Sequence, residues 1–386
     1  WTVGALIDGK INARKVTLRG QAVDTLRCSS TMLDRLIKSK AITGMEKVPV
    51  SGIDSDADEE IEHCEGRYAI AHKPPHRTGR KPIKIEKGDV GVDVQIFNCK
   101  QAGTGAMYGT LFVLLYFCLP VYETHGTHKD GFKLTFDKVR CRMQRLHDID
   151  TKGGRIFSHY GGGDGVDVLE PTAQGPMDAP TNGSVYNHQI SDCDSVIQSF
   201  ESKQHALSRG VDQTFSAPNL HHRNPTENYM RKIKEAALSM QALAGTPDSL
   251  TERSWIHATL MIGLQLPKKR YDPLHHNKTP IECYTKQRPQ WKHVVGMVFG
   301  MQCWGYKDKA GRPQLGIKGR HDRWGFYVSR DVDTWSHVLY DPYTHQLCKY
   351  GWLWGNPNVL MRDVMGAQNQ LRLEVIRAAR DCTEDD

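Results

Sequence analysis

A carboxylate set inside an apolar strand costs free energy to bury, which favours a functional origin over an accidental one. Asp93 is such a group, held between Val92 and Val94 in VGVDVQIF, residues 90–97. Its oxygens are the hard donors that a divalent cation takes. A second set is basic. Arg67, Lys73, Arg77, Arg80, Lys81, Lys84 and Lys87 crowd a short stretch that also holds three prolines and several histidines, either a solvated face or a run of phosphate contacts. Arg231, Lys232 and Lys234 form another basic group further on. Ten cysteines are scattered with no C-x-x-C pair, so neither a disulfide framework nor a zinc knuckle is visible, and a reducing interior is expected.

The elements that must position these groups follow from periodicity. Ile233, Ala237, Met240 and Ala244 recur at helical spacing, one apolar face of a helix over 225–244. Asn224-Pro225-Thr226-Glu227 supplies a start signal, with Asn as N-cap, Pro at the first helical position and Glu227 completing a capping box. Residues 90–97 predict a strand and 108–122 two more strand-like runs; 131–147 and 196–208 predict helices. Strands joined to crossover helices imply an α/β domain with a mixed sheet. The longest apolar run, Leu111 to Val121, is too short to span a bilayer and is expected as buried strand.

Elsewhere the pattern is weaker. Alternation over 1–20 predicts a leader strand, and 30–45 a short helix ending near Gly44. SGIDSDADEEIE is an acidic loop. Between Asp150 and Asn187 periodicity gives way to glycine and proline, a flexible insertion in which Gly162 to Glu170 matches a calcium-binding nonapeptide once, too few copies to stack. Residues 255–267 predict a second amphipathic helix. Aromatic-rich runs with Asp-Pro turns predict a small antiparallel module over about 292–352, and 364–380 a last helix before an acidic tail. The chain of 386 residues, 39% hydrophobic and 25% charged with net charge +7, suits a soluble protein of two or three domains that tolerates a nucleic-acid partner. No signal peptide opens it, and a start at Trp1 predicts a segment cut from a longer polyprotein.

Several blocks carry a resemblance. Ser216-Ala217-Pro218, then Asn224 and a basic helix, resembles the SAPYTPQQNGVAER block of copia-type LTR-retrotransposon integrases. Lys278-Thr279-Pro280-Ile281-Glu282 resembles KTPYEL, Val298-Phe299-Gly300 resembles VFGC, and Val338 to Thr344 resembles YRVYDPET. The resemblance covers about residues 25–352. It implies an RNase H-like, retroviral integrase-type mixed-sheet core at 88–270, carrying the Gly-rich insertion at about 150–187. It also implies a small helical N-terminal region at 1–87, a β module at 271–355 and a C-terminal helix and tail at 356–386.

The same resemblance implies two-metal phosphoryl transfer, with Mg²⁺ or Mn²⁺ held by two Asp and a Glu. Asp93 takes the first place. Ser191-Asp192 takes the second, since the 24 positions from Asp192 to Ser216 align without a gap; Ser158-His159, the other claimant, has His where the Asp belongs. The third place, 36 positions after Asp192, is Asn228, with Glu227 adjacent. Of the N-terminal His-His-Cys-Cys zinc site only Cys64 keeps its place, with His63 and Cys28 as substitutes, so zinc is not expected. His221, His222, His125, His128, His275 and His276 are expected in exposed loops rather than as ligands.

Three readings remain open. The chain is an integrase-like nucleic-acid-binding protein with a degenerate site, using Arg77, Arg80, Lys81, Lys84, Arg231, Lys232 and Lys234 on DNA or RNA. Or it is a scaffold recruited into a larger ribonucleoprotein assembly. Or it is an active strand-transfer integrase that uses Glu227. A homo-oligomer or larger assembly, no membrane, and an intracellular location in the nucleus or a cytoplasmic particle go with these readings.

Overall fold

Alternation builds the first sheet. In a computed structural model that describes residues 16–50, 85–102, 104–126, 129–151, 186–191, 197–215, 225–267, 277–285, 288–289, 297–306, 323–331 and 336–366, β1 (Asp89–Ile96), β2 (Tyr108–Leu114) and β3 (Leu119–His125) form an antiparallel meander. β4 (His188–Ser191) and β5 (Asp212–Phe215) run parallel to β1, giving the order β3-β2-β1-β4-β5. The five-stranded mixed sheet with flanking helices is the α/β class expected from the sequence.

Strand residues point alternately to the two faces, and each face has its own helices. Val90 and Val92 share one face with Phe112 and are fully buried. Over them lies α3 (Lys129–Thr151), whose Phe132, Phe136, Val139 and Met143 repeat at helical spacing and are all buried. Phe112 stacks on Phe132 at 6.5 Å. α4 (Phe200–Ser208) rides beside α3, held where Asp137 meets both His205, at 3.1 Å, and Arg209, at 3.2 Å.

The opposite face carries the cross-strand row Asp93, Leu111 and Tyr122. It is covered by α5 (Glu227–Ala244) and α6 (Thr251–Gly263). Tyr122 stacks on Trp255 of α6 at 5.4 Å. Glu252, nearly inaccessible, accepts from the hydroxyls of Thr104 and, at 2.7 Å, Thr124, so a buried carboxylate is satisfied by donors rather than left bare. On the far side of these helices sit α1 (Leu18–Leu26) and α2 (Ser30–Lys38). Buried Arg19 ties them together, donating to Asp34 at 2.9 Å and to the Pro49 carbonyl at 2.7 Å. A short helix, α7 (Pro280–Thr285), follows.

A second, antiparallel sheet is made by β6 (Met301–Tyr306), β7 (Arg323–Arg330), β8 (His337–Asp341), β9 (Gln346–Tyr350) and β10 (Trp352–Leu360), in the order β10-β6-β7-β8-β9. Its apolar residues Phe326, Val328, Val338 and Tyr340 belong to the same buried cluster as the first sheet and its helices. Gly300, in the left-handed region at φ 78, brings the start of β6 against α5: a Cβ there would stand 2.3 Å from that of Ala244.

Several expectations are corrected. Residues 18–26 are helix, not leader strand, because Thr17 caps them through the Gly20 amide at 3.0 Å; residues 1–15 lie outside the described set. α2 stops at Lys38 rather than near Gly44, as Lys40 turns left-handed at φ 51. The two strand runs expected over 108–122 are β2 and β3, so the apolar run Leu111 to Val121 is not one continuous strand but is broken by a reverse turn through Cys118, at φ 59. His125 is buried, with Nε2 3.0 Å from the Thr110 hydroxyl and its ring stacked on Tyr108, so it is a packed strand residue and not a loop histidine. The β module runs to Leu360, beyond the expected end. Among the described residues no helix is long and apolar enough to cross a membrane.

Between α6 and the second sheet sit two buried histidines. Burial, and then the Arg330 guanidinium, push His257 down to about 3 and His337 likewise to about 3. His257 Nδ1 is 3.4 Å from the Tyr327 hydroxyl, and His337 packs edge-on to the same Tyr327 ring at 5.9 Å. Both are neutral in the fold, whereas an unfolded histidine charges near its ordinary value of 6.5. Stability is therefore fully present above about pH 6.5 and is lost as pH falls towards 3, by up to about 1.4 kcal/mol per pH unit for each group. Urea denaturation at pH 7.5, 6.5 and 5.5 should show stability falling with acid, and His257→Gln should flatten the slope. A variant that keeps the full slope would remove His257 from this role.

Candidate functional site

The site expected from the sequence starts at Asp93, half-buried in β1. Its Oδ1 accepts from the Val94 amide at 2.8 Å, a local bond that holds the side chain on the α5 and α6 face. The parallel register places Val92 opposite Ser191, the last residue of β4. In sequence the next residues of the two strands are Asp93 and Asp192. Asp192 itself lies outside the described residues, as do His159, His221, His222, His128, His275 and His276.

A contact that the sequence reading passed over governs the third side of the site. Gly91 sits two residues before Asp93 on the same face, and a Cβ on it would stand 2.0 Å from Thr226 Oγ1. Thr226 is fully buried and immediately precedes α5. The start of α5 therefore lies against β1 one pleat away from Asp93, and only a residue without a side chain permits the approach. Glycine inside a strand is the sequence signal for such an approach, and VGVDVQIF carries it.

The first turn of α5 differs from expectation. The helix begins at Glu227, and Thr226 makes no side-chain cap hydrogen bond. Thr226 already has helical dihedrals, at φ -73 and ψ -28, and Asn224, the expected N-cap partner of Glu227, lies outside the described residues. Glu227 and Asn228 are both exposed, and one helical step turns their side chains apart by about 100°. Asn228 Oδ1, the atom through which an amide could bind a cation, accepts from the Arg231 guanidinium at 3.2 Å. Beyond it Arg231 and Lys234 are exposed, and Lys232 lies over the Tyr229 ring at 5.4 Å.

On the same face, nearer the start of β1, a polar ladder fastens the parallel strands. His188 Nδ1 lies 2.9 Å from buried Asp89 and its Nε2 2.9 Å from the Thr214 hydroxyl. It joins β1, β4 and β5 through side chains and so fixes the edge on which Ser191 ends.

Of the zinc candidates and the basic residues 77–84 named from the sequence, the described residues include Cys28 alone. Cys28 is buried in the apolar cluster around α1 and α2, while His63, Cys64, Arg77, Arg80, Lys81 and Lys84 lie outside the described residues. Among the described residues no three His, Cys, Asp or Glu side chains stand together as a metal site requires.

No protein-family model matches the chain, and no curated protein matches it in sequence. Among solved structures the chain is similar to the catalytic core domain of BIV integrase, at 14% identity and a TM-score of 0.29, over 52% of this chain and 95% of that one.

The close approach at Gly91 gives a direct test. Gly91→Ala must displace either α5 or β1, and overpacking of this kind costs about 1–3 kcal/mol. Chemical denaturation should show that loss. Thr226→Ala on the same background should recover part of it, since the clashing oxygen is gone. Gly126→Ala, whose Cβ would meet nothing within 4 Å, should be near neutral. Equal effects at Gly91 and Gly126 would remove the contact from the argument.

Proposed function

We propose that the chain is an integrase-like nucleic-acid-binding protein whose carboxylate site is worn to two acidic positions and an amide. The observation that carries this reading is the packing of Thr226 on Gly91. It sets the first turn of α5 beside the strand that holds Asp93, as a site assembled from a strand carboxylate and a helix residue needs. The copia-type blocks, which run in order along the chain, support the same reading.

On this reading Asp93 and Asp192 would hold Mg²⁺ or Mn²⁺, and the metal would supply charge neutralisation at a phosphoryl group. Asn228 brings no negative charge, and its oxygen is engaged by Arg231. Two carboxylates then face two divalent ions, so metal occupancy is weak. Losing one preorganised charged group at such a site typically costs a factor of about 10²–10³ in rate or more. Binding does not depend on that charge. Exposed Arg231 and Lys234, with Lys232, lie on α5, and Lys and Arg contacts to phosphate give affinity that falls steeply with salt.

The test combines duplex DNA binding across a salt series with strand transfer in Mg²⁺ or Mn²⁺. Binding that weakens with salt and further on Arg231→Ala, with no strand transfer and at most partial recovery in Asn228→Glu, is the expected result. Removing Arg231 as well should help that recovery, because the new carboxylate would otherwise pair with the guanidinium. Robust strand transfer by the unaltered chain, abolished by Glu227→Gln, would make Glu227 the working ligand and overturn the degenerate site.

A further inference from the structure

The second sheet presents aromatic rings in a cross-strand line. Trp354 of β10 pairs in register with Trp304 of β6, and Trp304 with Trp324 of β7. Residues directly opposite in adjacent strands share a face, so three tryptophans stand side by side across three neighbouring strands. Trp304 and Trp354 have ring centroids 4.8 Å apart, and Trp324 continues the line to Tyr343, 5.7 Å away in the turn between β8 and β9. Trp354 is 52% exposed and Tyr343 59%, while Trp304 and Trp324 are partly exposed.

Burial falls off along this face. One pleat further along, Phe326 and Tyr340 are buried, with Leu347 packed against the same cluster. The tryptophan row starts at the margin of that covered part, where Trp324 packs against the cluster and edge-on to Phe326 at 5.2 Å, and its ends at Trp354 and Tyr343 are exposed. Indole is expensive to leave in water, and an exposed run of such rings marks a surface that meets something.

We propose that this row is a stacking platform for single-stranded nucleic acid. Unpaired bases are flat and offer a π-face whatever their sequence, and aromatic side chains on the open face of a sheet stack two or three of them. Rings set in a line suit successive bases of one strand; a methylammonium group calls for rings converging around a point. Charge points the same way. The sequence joining β6 to β7, residues 307–322, carries Lys307, Lys309, Arg312, Lys318 and Arg320 against Asp308 and Asp322. That segment lies outside the described residues and is not part of the platform, but an acidic-backbone ligand fits a chain so charged. The platform is separate from Asp93 and α5, so it stands or falls independently of the carboxylate reading.

The experiment uses the full chain and reads tryptophan fluorescence on titration with oligo(dT), oligo(U) and a duplex DNA of matched length. Stacking should quench the emission with either single strand and less with the duplex, whose bases are already paired and stacked. Trp354→Ala should weaken single-strand binding about tenfold or more and leave duplex binding unchanged. Trp354→Phe, which keeps a π-face, should retain most of the affinity. Phe200→Ala, which removes an exposed ring on α4 far in sequence from this sheet, should change nothing, and thermal melts would show that each variant is folded. Tyr343→Ala gives a second variant, at an exposed position in the turn. Overturning results are the absence of single-strand binding, single-strand binding unmoved by both Trp354→Ala and Tyr343→Ala, an equal loss for duplex and single strand, or quenching by a trimethyl-lysine or proline-rich peptide in place of the oligonucleotides.

Discussion

The structure depends on how closely α5 approaches its neighbours, and glycines set that distance. At Gly91 the missing side chain lets buried Thr226 rest against β1; at Gly300 it lets the start of β6 rest against Ala244. A third, Gly245 at φ 66, ends α5 in a left-handed cap and would place a Cβ 2.5 Å from that of Arg362. One helix is thus pinned at its start to the first sheet and at its end to the β6 and β10 side of the second. Interiors packed to crystal-like density yield little to an added methyl, so these positions set how closely α5 sits to its neighbours.

That arrangement explains why the two sheets share one buried cluster. α5 offers Ile233, Ala237, Met240 and Ala244 inwards, and α6 follows with Trp255, Ala258 and Met261. α6 then faces both ways, with Trp255 on Tyr122 of the first sheet and His257 against Tyr327 of the second and Phe299 in the turn before β6. The cost of burying His257 and His337 is met by holding both neutral. A salt bridge in the same place would have had to offset a larger desolvation penalty.

How much of this the sequence discloses depends on the range over which each signal acts. The faces of α3 and α5 and the alternation of β1 are local patterns, and they place helices and strands within a few residues of where they lie. The start of α5 is less legible, because the Asn-Pro-Thr-Glu signal marks where a helix begins and says nothing of the strand that Thr226 packs against. His125 shows the same limit: two neighbouring glycines and a nearby second histidine suggest a loop, while the Thr110 hydroxyl and the Tyr108 ring, reached only through strand pairing, make it a buried residue. The tryptophan row is invisible in one dimension. Trp304, Trp324 and Trp354 are twenty or more residues apart, and only the register of three strands aligns them.

The candidate site divides along the same line. The face of α5 that carries stability and the turn that carries Glu227 and Asn228 are different surfaces of one helix. Exposed Asn228 touches Arg231 on its own helix, so exchanging an amide for a carboxylate there disturbs no buried contact. Gly91 has no such freedom, because any side chain would enter Thr226. On the proposed reading, a chain relieved of its chemistry would lose the third carboxylate first and the glycine last. The spatial frame of the site then outlives the charge that made it reactive, and exposed Arg231 and Lys234 on α5 remain to serve binding.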